Sequence, residues 1–157
     1  MNTYDAEKQL EQSGLHLPPA PEPKGLYKPC LIDGKHLYLS GHLPLQDDNT
    51  VITGRIGKEL SKEEGKLAAR QAGLSMLSTI KKNLDSLNRI KRVIKIVGFV
   101  NCVPEFEQHP YIINGCSELF ADIWGLDKGA GARSAVGIAS LPGNGAVEIE
   151  AVFELYE

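Results

Sequence analysis

Two long stretches of this chain repeat their apolar residues at helical spacing, and the rest alternate or run together as strands do. Leu67, Leu74, Leu77, Ile80 and Leu84 fall on one side of a helix, which predicts a long helix with a core-facing stripe. Ser61-Lys62-Glu63-Glu64 marks its start as a capping box: the hydroxyl accepts from the amide three residues on, and Glu64 reaches back. A second helix is predicted from Pro110, which suits a first turn, with Ile112, Cys116, Leu119, Phe120 and Ile123 inward and Gly125 ending it. Between them, Ile90 to Val103 is rich in β-branched residues and reads as a central strand. Ile94, Ile96 and Val100 would share one face of it, Val97 and Phe99 the other.

The strands at either end follow from turn chemistry. Tyr27 to Ile32 reads as a strand that turns at Asp33-Gly34 into His36 to Ser40. Near the C-terminus, Ala132 to Pro142 and Ala146 to Phe153 flank Gly143-Asn144-Gly145, which predicts a hairpin or a close relative of one. Val147, Ile149, Ala151, Phe153 and Leu155 alternate with Glu148, Glu150, Val152 and Glu154, the pattern of a half-buried strand. Arg133 opens the first of these strands and Glu148 lies early on the second, so a hairpin would let them share a pocket. Leu45 to Leu60 reads as a polar loop with Gly54 and Gly57. Asp5 to Ser13 predicts a short helix ending at Gly14, and Leu17 to Pro23 an extended, proline-rich arm lying as a strap over the domain. Residues 1–24 are thus a helix and arm, and residues 25–157 a single domain.

The order ββ, helix, β, helix, ββ predicts an α+β fold of two layers, a mixed sheet with two helices on one face. The other face carries Glu148, Glu150 and Val152, too polar for a core and too apolar for free surface, so a subunit interface is expected there. At 157 residues the chain buries roughly 70% of its unfolded surface as one domain. The net charge of −3 offers no global basic field for nucleic acid. No stretch approaches the ~20 apolar residues of a membrane helix, and the polar start Met1 to Lys8 is not a signal peptide. Cys30, Cys102 and Cys116 sit among apolar neighbours and read as reduced thiols of a cytoplasmic protein. His16, His36, His42 and His109 show no paired spacing and the cysteines no C-x-x-C, so no metal is expected; nor is a cofactor, since no phosphate-binding glycine turn or cofactor lysine stands out.

Four motifs in order resemble those of the RidA/YjgF (reactive intermediate/imine deaminase, endoribonuclease L-PSP-like, chorismate mutase-like) family. Gly25-Leu26-Tyr27 matches its G-x-Y, and Leu37-Tyr38-Leu39-Ser40-Gly41-His42-Leu43-Pro44 its strand ending S-G-Q-[IL]-P. Asn114, Glu118 and Phe120 match its helix loosely, and Ala132-Arg133-Ser134, Leu141-Pro142 and Glu148-Ile149-Glu150-Ala151 its ending. The resemblance covers the chain from about Pro21 onward. It implies a homotrimer whose sheets line a central barrel, with a cleft between adjacent chains. It also implies a ligand, a small carboxylate or 2-imino acid, held by the fork of Arg133. Glu148 would position water or shuttle a proton, with Tyr27 closing the pocket and Gly41, His42 and Asn114 binding substrate. On spacing alone an interchain ion pair is the favoured reading of Arg133, a solvated or paired strand glutamate is the alternative for Glu148, and helix capping or surface polarity that for Asn114.

Departures place the chain in a divergent, longer subgroup. Lys28-Pro29-Cys30 follows Tyr27 where the family has Ser-Gln-Ala, His42 stands for a glutamine, Ala135 for a common cysteine and Gly137 for a frequent glutamate, and Gln108 to Ile113 is longer than in compact members. Three functions are compatible with this: an enamine/imine deaminase, a non-catalytic binder of small carboxylates, and an endoribonuclease. The last rests on a basic cluster, Lys81, Lys82, Arg89, Lys91, Arg92 and Lys95, without an aromatic RNA platform.

Overall fold

A computed structural model describes residues 4–157; Met1 to Thr3, read above as part of a polar N-terminus, lie outside the described residues. The N-terminal helix α1 (Ala6–Ser13) is capped by the Asp5 carboxylate, which accepts from the Lys8 amide, and closed by Gly14 in the left-handed region. Strands β1 (Cys30–Asp33) and β2 (His36–His42) form the expected hairpin, but its two-residue loop is Gly34-Lys35, with Asp33 the last strand residue paired to His36. Helix α2 (Lys62–Leu84) starts at the Ser61 box with both of its hydrogen bonds present. Strand β3 (Ile90–Asn101) leads into α3 (His109–Trp124), the one-turn α4 (Leu126–Gly129), β4 (Ala132–Ile138) and β5 (Val147–Leu155).

The five strands run in the order β1-β2-β5-β3-β4, with α2 and α3 packed together over one face. This is the two-layer α+β arrangement expected. Leu37, Leu39, Val93, Ile96, Val100, Ile149, Ala151 and Phe153 point into the helical layer and are buried. Phe120, Trp124 and Phe153 meet there edge to face, with centroids 5.2–5.7 Å apart. Among the described residues no helix is long and apolar enough to cross a membrane.

Four other local expectations are corrected. The C-terminal strands are not a hairpin: β4 pairs in parallel with β3, while β5 enters between β2 and β3 and runs antiparallel to both. A parallel β3–β4 pair needs a helical crossover, which α3 supplies. The Gly143-Asn144 turn instead carries the chain from the sheet edge back to its centre across the end of β3. Buried Asn101 fastens that crossing through its Nδ2, which donates to Asn144 Oδ1 and the Gly145 carbonyl, both at 3.1 Å. The first strand starts at Cys30 rather than Tyr27, because Pro29 offers only a carbonyl, which accepts from the Ser40 amide at 3.0 Å. Ile94 is the extra residue of a bulge between Val93 and Lys95, so Val93 takes the inward place. Leu67 is 65% exposed. At that end the backbone of α2 at Lys66 and Arg70 lies against Gly115 of α3, and Gly65, Ala68, Ala69 and Ala72 take the buried positions in place of Leu67.

Helix α1 packs against α3 and the turn at residues 87–89, and the arm lies against α2. Ala6 and Leu10 are buried, Glu7 bonds Lys81 and the Leu87 amide, both at 2.7 Å, and the Pro18 carbonyl accepts from Ser78 Oγ at 2.6 Å. The loop 45–60 is polar but not detached, since Ile56 is fully buried.

Candidate functional site

The residues singled out from sequence fall into two groups on opposite faces of the sheet. Arg133 lies on edge strand β4 opposite Ile96, an inward residue, so its side chain is directed toward α3. There its guanidinium donates to Asn114 Oδ1 at 2.8 Å, Ser117 Oγ at 3.1 Å and the Pro110 carbonyl at 3.3 Å. Asn114 and Ser117 are three residues apart and so share one helix face. None of the ion pairs among the described residues includes Arg133. The result is a guanidinium fixed by neutral partners, with its charge uncompensated. Ser117 was not singled out from sequence; its spacing from Asn114 was the available signal. Burial pushes the adjacent Cys116 thiol far up, with Arg133 pulling weakly the other way.

Glu148 lies on the open face, opposite Phe99. It is half-buried beside Gly41, where an added Cβ would stand 2.5 Å from Glu148 Oε1. The absence of a side chain at position 41 therefore lets the carboxylate lie down on β2. Burial holds Glu148 above the usual carboxylate range, and Glu150 beside it adds to the rise. Tyr27 sits in the bend before β1, 51% exposed, and its hydroxyl accepts from the Lys24 amide at 3.3 Å. It borders an open concavity of about 470 Å³ floored by Tyr38, Lys95, Glu150 and Val152. On its other side it borders a smaller space of about 90 Å³ between the arm and Gly41.

His42 does not present its ring to the open face. It is 3% exposed, with Nδ1 2.6 Å from the Ser40 carbonyl and Nε2 2.7 Å from Thr79 Oγ1 of α2. The β2 bulge before His42 turns it inward, and burial holds the imidazole below its ordinary range. Both ring nitrogens are engaged inside the fold.

Arg133 and Glu148 thus do not meet within one chain. Each pairs with β3, at residues three apart and on opposite sides of it. That places their backbones about 14 Å apart, from ~3.3 Å per residue and ~4.8 Å per strand, before the side chains diverge to opposite faces. Among the described residues no three or more His, Cys, Asp and Glu gather as a metal site would require. Two candidate half-sites result: Glu148 beside the bare backbone of Gly41, with Tyr27 bordering Gly41 from the arm side, and Arg133 held by Asn114 and Ser117 on the helical face.

Known proteins share this framework. Residues 7–152 match the family described as "YjgF/chorismate mutase-like, putative endoribonuclease". Protein TCP17 of Trypanosoma cruzi is 40% identical over 146 residues, covering 93% of this chain and 91% of its own. The 2-iminobutanoate/2-iminopropanoate deaminase of Dermatophagoides farinae is 31% identical over 139 residues, covering 88% and 92%. The crystal structure of Atu1372, a protein of unknown function from Agrobacterium tumefaciens, aligns with a TM-score of 0.86 at 39% identity over 96% of this chain and 94% of that one.

Proposed function

The chain belongs to the YjgF/chorismate mutase-like family, and on that premise we propose that it is an enamine/imine deaminase, hydrolysing reactive 2-imino acids to 2-keto acids and ammonia in the cytoplasm. The observation that carries this is the Arg133 guanidinium, fixed by Asn114, Ser117 and a carbonyl but neutralised by no carboxylate among the described residues. Such a fork is set to bind a carboxylate with two hydrogen bonds. The relative from Dermatophagoides farinae, named for 2-iminobutanoate and 2-iminopropanoate, supplies the substrate class.

A homotrimer closes the site. The open face shows Leu31, Tyr38 and Val136 half-exposed. Covering it with a second chain by a cyclic, head-to-tail contact brings the β4 edge of one chain to the Tyr27–Glu148 side of the next. Arg133 then holds the substrate carboxylate while Glu148 of the adjoining chain faces C2. Water adds to the C=N carbon as Glu148 takes its proton. That proton passes to nitrogen to give the carbinolamine; Glu148 then moves the hydroxyl proton to the same nitrogen, and as C=O forms the C–N bond breaks and ammonia leaves the keto acid behind. Burial favours this by raising Glu148 above its ordinary value, which makes the carboxylate a stronger base toward the attacking water.

Binding of small carboxylates without turnover is the second reading, favoured because the three groups that position Arg133 come from its own chain whereas Glu148 must come from another. The basic cluster gives the endoribonuclease reading little free charge: Lys81, Lys82, Lys91 and Arg92 are each paired with a carboxylate of Glu7, Glu22 or Glu154.

The test generates 2-iminopropanoate or 2-iminobutanoate in place with an amino-acid oxidase and traps it with semicarbazide. Wild type is expected to divert the imine to keto acid, and Arg133→Ala and Glu148→Gln to lose this while staying folded. The two inactive variants are then unfolded together, mixed equally and refolded. Because each cleft would draw Arg133 and Glu148 from different chains, about a quarter of clefts should recover both residues. Activity in wild type with no recovery on mixing would overturn the shared cleft. No turnover by wild type, with carboxylates still bound through Arg133, would overturn the deaminase and leave the binder.

A further inference from the structure

Where β3 ends, a cavity of about 340 Å³ is lined by Arg55, Cys102, Phe106, His109, Gly137 and Ala139. None of these residues belongs to either half-site. Four separate segments meet here: the 45–60 loop through the Ile56–Cys102 bridge, the end of β3, the first turn of α3, and the end of β4. Cys102 Sγ lies 3.5 Å from His109 Nε2. The ring of Phe106 stands edge-on to the imidazole, centroids 5.5 Å apart and planes at 86°, and restrains it. The pair packs directly against the backbone of Gly137 in β4, where an added Cβ would stand 2.6 Å from His109 Nε2 and 2.9 Å from Cys102 Sγ. Gly137 has no positive φ that would demand glycine, so close approach is its structural requirement.

Arg55 supplies charge. Its Nη2 donates to the carbonyls of Cys102 at 2.7 Å and Ala139 at 3.4 Å, which anchors the guanidinium beside the cavity. None of the ion pairs among the described residues includes it, although Glu59, whose carboxylate accepts from the Arg55 amide, lies within its field.

We propose that Cys102, His109 and Arg55 form a covalent site for small carboxylates that carry an electrophilic carbon, with Cys102 as nucleophile, His109 as base and Arg55 as the anion anchor. An imidazole placed on a thiol is the arrangement that turns a weak nucleophile into a strong one. Burial pushes the Cys102 thiol up, with Arg55 pulling the other way, so the resting sulfur keeps its proton and attack requires a base. In the tautomer protonated at Nδ1, His109 Nε2 accepts that proton as the S–C bond forms. With an α,β-unsaturated carboxylate, the double-bond pair moves to the α-carbon, which takes the proton from His109; nothing leaves and no oxidant enters. The site uses none of Tyr27, Arg133 and Glu148, so it stands or falls apart from the deaminase reading.

Iodoacetate and iodoacetamide test it, being nearly equal in size and different in charge. With either, the sulfur displaces iodide, which leaves with the C–I pair while the thiol proton goes to His109. The native, reduced full chain is labelled over time and alkylation at each cysteine is read by peptide mass spectrometry. Fully buried Cys116 is the internal reference. Cys102 is expected to react well ahead of Cys116 and faster with iodoacetate than with iodoacetamide. His109→Gln should slow Cys102 about tenfold or more with both reagents and leave Cys30 unchanged. Arg55→Gln should abolish the preference for iodoacetate, and Arg55→Lys, which keeps the cation, should retain it. Labelling of Cys102 no faster than Cys116 would overturn the site, as would an unchanged rate in His109→Gln or an unchanged preference in Arg55→Gln.

Discussion

Substituting alanine for Gly115 isolates the contact that fixes the helical layer, and with it Arg133. A Cβ at position 115 would stand 2.0 Å from the Lys66 carbonyl oxygen and 3.0 Å from the Arg70 amide nitrogen. Both are backbone atoms of α2, so no side-chain rotation relieves the overlap. Restoring an ordinary contact requires α3 to retreat by roughly 1.4 Å along that direction. Overpacking of this kind costs about 1–3 kcal/mol, while alanine returns up to ~1 kcal/mol of helix propensity over glycine. Because the obstacle is backbone, the upper part of the range applies, a net loss of about 2 kcal/mol, or roughly 4–8 °C in melting temperature for a chain of this length. Gly73→Ala is the control on the facing helix. There the added Cβ meets Leu119 Cδ2 at 2.9 Å and Cys116 Sγ at 3.2 Å, side-chain ends that can shift, so the net change should stay within about 1 kcal/mol. Thermal unfolding at one fixed protein concentration decides between them. Because α3 carries Asn114 and Ser117, Gly115→Ala should also weaken carboxylate binding at Arg133. A Gly115→Ala protein as stable as wild type, or one no less stable than Gly73→Ala, would refute the backbone clash.

Three further outcomes follow from the surroundings of Glu148 and His42. Glu148 is held above the usual carboxylate range, so its ionised form is the one the fold disfavours. The penalty is present at neutral pH and disappears as pH falls below the ordinary value near 4.5. Glu148→Gln should therefore raise the melting temperature at pH 7 by about 1 °C, a few tenths of a kcal/mol after screening at a half-exposed site. That gap should close toward pH 4, and a gap that widens on acidification would be inconsistent with the burial effect. His42 is the opposite case, a base held below its ordinary value of 6.5. Its contribution is present above that value and lost as pH falls through it. Melting temperature should thus drop between pH 7 and 5 in wild type, and drop less in His42→Phe. Thr79→Val, which leaves His42 Nε2 without its partner, should cost about 1–3 kcal/mol at pH 7.

Local order was legible in the sequence wherever one element decides its own form. The Ser61 box, the hairpin at Asp33-Gly34, the Pro110 start and the β-branched run from Ile90 each specify a conformation within a few residues, and each is present. What a run cannot encode is its neighbour. β5 alternates as a half-buried strand should, yet nothing in that alternation tells whether β4 or β3 lies beside it. The Gly143-Asn144-Gly145 turn suits a hairpin and suits equally the crossing that Asn101 fastens. Leu67 fits the apolar stripe by spacing, but the buried face at that end of α2 is chosen by the close approach of Gly115, a tertiary constraint. His42 and Ile94 fail similarly, each displaced by a bulge that shifts the alternation locally.

The strand order matters most for the site. A β4–β5 hairpin would set Arg133 and Glu148 side by side and complete a pocket in one chain. Insertion of β3 between those strands separates the pair, and their registers turn one side chain toward α3 and the other to the open face. No rotamer change can bring them together, because the sheet itself lies between. If both residues act on one small substrate, the second must be delivered by another copy of the chain. The open face then has two tasks that agree with its composition: half-exposed Leu31, Tyr38 and Val136 supply area for contact, while Glu148 stays half-buried and poised. A single chain holding both roles would need a different strand order, so the topology ties chemistry to assembly more firmly than any one residue does.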